Sequence, residues 1–180
     1  MTDLARSIES VHEQMTGEAA SPGDQPRRKR LALVASKGTL DQAYPPLILA
    51  TTAASLGWEV GIYFTFYGLD ILHKDRHKRL KMASLANPSG PIQLPNLLGA
   101  IPGATKAATK VMKRWMNRSK MPAVPEFIEM AQGLDVVFFA CATTMGVMDV
   151  AESDLIEGCD IAGAAAFLDY AANADVQLFV

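Results

Sequence analysis

A chain of 180 residues, 49% of them hydrophobic, can bury one substantial core without metals or cross-links, and two cysteines are too few for a secreted disulfide framework. The first 30 residues are polar and charged with no apolar stretch of signal-peptide length, and no run of about 20 uncharged apolar residues occurs, which sets the expectation of a cytoplasmic protein without a spanning helix. The net charge of -2 conceals a basic block, because from His73 to Lys120 eleven Lys and Arg stand against one acid, Asp75; such a block is either a docking surface for something anionic or a solvated basic face.

In residues 3–16 the spacing of Leu4, Ile8, Val11 and Met15 predicts a short helix, and Gly17 ends it. A Gly- and Pro-bearing linker follows, so residues 1–28 read as a helix and linker ahead of a single domain over 29–180. "RLALVAS" (30–36) is a first strand, with Lys37-Gly38-Thr39 as the turn and a helix toward Leu56. Pro45 and Pro46 favour a helix that starts late, with a proline in its first turn. "GWEVGIYFTF" (57–66) is a second strand, and "YGLDILHK" a short helix.

A basic, apolar insertion at about 82–122 comes next. Its first part, "NPSGPIQLPNLLGAIPG" (87–103), is irregular by its prolines and glycines. Its second, "ATKAATKVMKRWMNR" (104–118), is an amphipathic helix with Val111, Met112, Trp115 and Met116 on one face and Lys106, Lys110, Lys113 and Arg114 mostly on the other. "VPEFIEMAQ" (124–132) is a helix with proline in its first turn, and "LDVVFFA" (134–140) a third strand. A short helix after Cys141, a helical turn at "SDLIEG", a brief strand at "CDIAG", a helix at "AAAFLDYAANA" and a closing strand "VQLFV" complete the chain. Strands alternating with helices imply an α/β fold, with a mostly parallel central sheet of about five strands and helices on both faces.

In such a sheet, ligands bind beyond the carboxyl ends of the strands, and Cys141 directly follows a buried strand. At a helix N-terminus its thiolate is favoured, and Thr143 and Thr144 offer hydroxyls to an anion or to the helix end. A nucleophile that needs no histidine and a small buried residue are both consistent with this position. Lys37 is a candidate anion-stabilising group in the same crevice. Cys159, beside Glu157 and Asp160, is the poorer nucleophile because acids raise a thiol pKa; a relay role and a filler role both stay open. His73 and His77 have ligand spacing, but their cationic neighbours disfavour a metal, and none is expected. GxGxxG, P-loop, GxSxG and CxxC patterns are missing, so no cofactor is expected either. Lys106, Lys110, Lys113, Arg114 and Trp115 are candidates for contact with a partner or an anionic membrane face, against core or oligomer packing of the same helix; nucleic acid is not expected.

From Phe138 onward the chain resembles the DsrE/DsrF-like family of sulfur-transfer proteins, in the subgroup often labelled predicted peroxiredoxin. The resemblance rests on Ala140-Cys141, Met145-Gly146, Leu155 to Gly158, Gly163 to Leu168 and Val176 to Val180 in that order, with residues 30–73 similar to the family's first βαβ unit. It implies a flavodoxin-like or YchN-like sheet, homo-oligomers, and a persulfide-carrying cysteine at Cys141, with Cys159 matching a second family cysteine. It also implies a rhodanese-type donor and a small sulfur-carrier protein as partners, and membrane association at the cytoplasmic face. The expected function is a sulfur carrier or sulfurtransferase; a non-catalytic docking scaffold and a cysteine peroxidase are the alternatives. The peroxidase pattern Pro-x-x-x-Thr-x-x-Cys is not present.

Overall fold

Continuous apolar runs need a sheet covered on both sides, and the chain builds one. The computed structural model describes residues 27–82 and 103–180. β1 (Arg30–Ala35), β2 (Glu59–Phe64), β3 (Val137–Cys141), β4 (Cys159–Ala162) and β5 (Val176–Phe179) form a five-stranded sheet in the order β4-β3-β2-β1-β5. Every pairing is parallel. The expected helix over 3–16 and most of the apolar stretch over 87–103 lie outside the described residues.

The helices are α1 (Leu40–Ser55), α2 (Leu69–Leu72), α3 (Ala104–Arg118), α4 (Val124–Gly133), α5 (Ala142–Met148) and α6 (Ala164–Ala172). Alternation along the strands sorts side chains onto two faces. Leu31, Leu33, Ile62, Phe64, Phe138 and Ala140 form one core with α1, α2, α4 and Met145 of α5. Ala32, Tyr63, Cys141 and Ala162 form a second core with Phe167 and Ala171 of α6. Right-handed crossovers account for this division. The chain steps from β1 to β4 in one direction, which places those connections on one face, and the return from β4 to β5 places α6 on the other. The chain therefore leaves the neighbouring strands β3 and β4 for opposite faces, the kind of switch point at whose carboxyl end ligands bind in open α/β sheets.

One sequence expectation changes. α1 does not start after its prolines: it begins at Leu40 and carries Pro45 and Pro46 inside. Prolines there forfeit two backbone hydrogen bonds. Burial offsets the loss, since Leu40, Ala43, Tyr44, Pro46 and Leu47 all pack inward, the Leu40 N–H donates to the Lys81 carbonyl at 2.8 Å, and the Tyr44 hydroxyl donates to the Pro122 carbonyl at 3.1 Å. α3 forms where expected, and only part of its apolar face packs against the core. Met112 and Met116 lean on the core while Val111 and Trp115 stay 46% and 44% exposed, and none of the described side chains of α3 is buried.

Near the strand starts, the Arg30 Nε donates to Glu59 at 2.8 Å and the Arg30 backbone N–H to Asp175 at 2.7 Å, tying β1 to β2 and to the approach to β5. At the opposite end, glycines allow backbones to touch. A Cβ on Gly38 would collide with the Tyr67 carbonyl, and one on Gly68 with the Ala35 carbonyl. The turns after β1 and β2 are thereby locked together at the carboxyl ends of those strands.

Candidate functional site

Cys141 is the last residue of β3 and the N-cap of α5, and it is 6% exposed. The small residues Ala142, Thr143 and Thr144 let the chain turn directly from strand into helix. That turn aims the Thr144 N–H at the Cys141 sulfur, at 3.4 Å. The Thr144 hydroxyl is buried as well, sharing a 3.0 Å hydrogen bond with the Thr65 hydroxyl and accepting the Phe66 N–H at 3.2 Å. One of the two threonine protons makes the shared bond, which leaves the other for the sulfur.

Tyr63 approaches from β2. It pairs with Phe139, so Cys141 lies two residues farther along on the same face, a diagonal neighbour within reach of an aromatic side chain. Its ring stacks on Phe167, with centroids 4.7 Å apart and planes 14° from parallel. Burial pushes the Tyr63 hydroxyl well above the usual tyrosine range, and the nearby sulfur adds to this, so Tyr63 stays a proton donor.

Burial pushes the Cys141 thiol up. The Thr144 hydroxyl, the Tyr63 hydroxyl, the Thr144 N–H and the Thr65 hydroxyl together outweigh it and bring the thiol down from 9.0 to about 7. A large thiolate fraction at neutral pH thus arises from neutral donors, without an imidazole or an ammonium. Phe66, the residue held by Thr144, has a left-handed backbone with φ 47°, a strained conformation for an aromatic residue. Phe66 and Tyr67 after β2 are exposed, as is Val147 on α5.

Of the candidates expected from sequence, Thr144 joins the sulfur directly. Thr143, one residue earlier on the helix, is exposed. Lys37 is also exposed and follows β1, two strands from β3, which is roughly 10 Å at the usual strand spacing. It lines a pocket with Thr39, Gln42, Tyr67 and Asp70, not the surroundings of Cys141.

Cys159 opens β4 in register with Phe138 and packs against the α1-side core, whereas Cys141 belongs to the α6-side core. Burial first, and Asp160 second, push its thiol up to about 12. The acidic neighbour read from the sequence is thus the smaller cause. Lys106, Lys110, Lys113, Arg114 and Trp115 are all exposed on α3. His77 is buried with its Nδ1 2.7 Å from the His73 carbonyl, and burial lowers its pKa. Among the described residues no group of three or more His, Cys, Asp and Glu side chains is arranged to hold a metal, and no helix is long and apolar enough to cross a membrane.

Sequence reasoning missed Tyr63, Thr65 and Phe66, all at the end of β2. The alternation in "EVGIYF" separates Tyr63 from Ile62 and Phe64, but only the β2–β3 register shows which residue it meets.

Comparison with known proteins follows the same outline. The chain is 40% identical over 159 residues to the sulfur carrier protein DsrE2 of Allochromatium vinosum, an alignment covering 85% of this chain and 99% of that protein. It is 32% identical over 157 residues to the uncharacterized protein YrkE of Bacillus subtilis, covering 84% and 97%. The crystal structure of the ychN protein from E. coli superposes with a TM-score of 0.52 at 12% identity over 84% of this chain and 99% of that one, a likeness of fold. The model of the DsrE/DsrF/DrsH-like family matches residues 27–179, and with relatives this similar along nearly their whole length the chain belongs to that family.

Proposed function

We propose that the protein is a sulfur carrier that relays sulfane sulfur as a persulfide on Cys141 between a donor and an acceptor protein. The observation that carries this reading is a buried thiol at the carboxyl end of β3, brought to about 7 by the hydrogen-bond donors around it. The likeness to a protein named as a sulfur carrier supports it. The Cys141 thiolate attacks the outer sulfur of a donor persulfide, R–S–S⁻. A bond forms between Cys141 Sγ and that sulfur, the donor S–S bond breaks, and its electron pair leaves with R–S⁻. Delivery is the same exchange with an acceptor thiolate. Cys141 is 6% exposed, and this burial limits the access of stray thiols to a loaded persulfide.

Incubation with polysulfide followed by intact-mass and peptide mapping tests the reading. One extra sulfur atom on Cys141 is expected; no adduct, or one that persists in Cys141→Ala, overturns it. A rhodanese-type donor and a small sulfur-carrier acceptor, both in the cytoplasm, fit this chemistry. Self-association through the β5 edge of the sheet, where Leu178 and Phe179 are exposed among the described residues, belongs to the same proposal.

α3 supports a compatible second reading. Val111 and Trp115 are exposed beside Lys110 and Arg114, which suits a peripheral anchor on anionic headgroups.

A further inference from the structure

The donors around Cys141 differ in what they already do. The Thr144 N–H points at the sulfur, the Thr65 and Thr144 hydroxyls bond each other, and the Phe66 N–H is spent on Thr144. The Tyr63 hydroxyl is buried and makes no close hydrogen bond, although it lies near enough to Cys141 for each group to shift the other's pKa. A buried hydroxyl without a partner is destabilising, and such exceptions call for an explanation. Flexibility does not supply one, because the Tyr63 ring is stacked on Phe167, which in turn packs against Phe139 with centroids 5.8 Å apart. Nor does apolar packing, which phenylalanine would serve as well without the unpaired oxygen.

The geometry offers one function for it. Tyr63 is diagonal to Cys141 on the same sheet face, in the same buried cluster. A persulfide adds one sulfur beyond Sγ, at roughly 2 Å, and needs a donor displaced from those that serve Sγ itself. We propose that the Tyr63 hydroxyl binds the outer sulfur of a Cys141 persulfide and stabilises its anion, an inference that rests on the sulfur-carrier reading. Thr144 and Thr65 then serve the inner sulfur and Tyr63 the cargo. No covalent step is added to the exchange; Tyr63 donates a hydrogen bond and keeps its proton.

Tyr63→Phe removes only the oxygen and keeps the ring stack. Wild type and variant are equilibrated with glutathione persulfide and glutathione at fixed ratio, and the loaded fraction of Cys141 is read by intact mass, alongside the melting temperature of the unloaded proteins. The equilibrium constant for loading is expected to fall about tenfold in the variant, the size of a hydrogen bond to a charged acceptor. The melting temperature, read below about pH 6 where Cys141 is protonated, is expected to stay level or rise, because a buried oxygen without a close partner is gone. Equal loading of the two proteins overturns the role of Tyr63 while leaving the carrier reading standing. A wild type that takes up no sulfur overturns the carrier reading and this inference with it.

Discussion

Cys141 and Cys159 stand on neighbouring strands but their side chains leave opposite faces of the sheet, and Cys159 is in register with Phe138, three residues before Cys141. At the usual rise, that offset is about 10 Å along the strand, before the thickness of the sheet is added. A disulfide needs Cβ atoms about 4 Å apart, so neither a disulfide nor direct sulfur exchange within one chain fits this arrangement. Cys159→Ala is therefore expected to load and deliver sulfur at the wild-type rate, measured with polysulfide as donor and a small thiol as acceptor. A variant that loads normally yet fails to deliver would restore a relay role to Cys159.

The two thiols should also separate by pH. With Cys141 near 7 and Cys159 near 12, alkylation of the native protein at neutral pH is expected at Cys141, with an inflection near pH 7. Stability follows with a definite sign. The folded thiol of Cys141 lies below its ordinary 9.0, so between about 7 and 9 the folded state holds fewer protons than the unfolded state, and stability from this group rises with pH. It is fully present above about 9 and lost as pH falls through about 7. The unfolding free energy of wild type minus that of Cys141→Ala should grow by about 2 kcal/mol across this window in urea titrations. A flat difference would show that the thiol is not perturbed. Cys159 acts in the opposite sense above 9, but it is present in both proteins and cancels.

Thr144 links the sulfur to the turn after β2, so its hydroxyl has two jobs. In Thr144→Val, the Phe66 N–H and the Thr65 hydroxyl lose their partner while the side-chain shape is kept. Loss of about 1–3 kcal/mol is expected from the stranded polar groups, and a rise of about one unit in the Cys141 pKa from the lost donor. Ultraviolet titration of the thiolate reads the second effect independently of the first. Thr143→Val, on the exposed side of the same helix, should change neither.

Much of this was legible in the sequence, for identifiable reasons. "RLALVA", "VFFAC" and the alternation of helices between them carry their periodicity locally, and they gave the parallel sheet and the strand-end position of Cys141. What depends on register stayed hidden. Lys37 and Thr144 looked equivalent as anion partners, and only the strand order separates one two strands away from one touching the sulfur. Tyr63 is one aromatic residue within a strand, and only the pairing with Phe139 places it diagonal to Cys141. The prolines of α1 misled for a different reason: local propensity opposes a helix there, and the burial of Leu40, Ala43 and Leu47 overrides it.

Gly68 tests how firmly the site is tied to its scaffold. An added Cβ would meet the Ala35 carbonyl, which belongs to β1 and cannot swing away as a side chain would. That carbonyl accepts the Thr65 N–H at 3.0 Å, next to the threonine that serves the sulfur. Gly68→Ala is expected to cost about 2 kcal/mol or more in chemical denaturation and to raise the Cys141 pKa as Thr65 and Phe66 are displaced. Destabilisation without a pKa change would separate the turn from the site. The exposed Gly146, whose added Cβ meets nothing, provides the matched control in Gly146→Ala.

The docking face of α3 predicts a different pattern, in which binding changes and folding does not. Lys110 and Arg114 are exposed, so Lys110→Ala with Arg114→Ala should alter stability by less than about 0.5 kcal/mol. Each cation near an anionic lipid surface contributes about 1 kcal/mol, so the pair should weaken partitioning onto phosphatidylserine vesicles roughly 30-fold. Trp115→Ala should weaken it through lost apolar insertion, including at high salt, where the charge contribution is screened. Flotation with charged and with neutral vesicles separates the two contributions. Equal recovery of wild type and both variants with phosphatidylserine vesicles would rule out α3 as the membrane contact. Because no residue of α3 is among the groups that act on the Cys141 sulfur, loading of Cys141 should be the same in all three proteins.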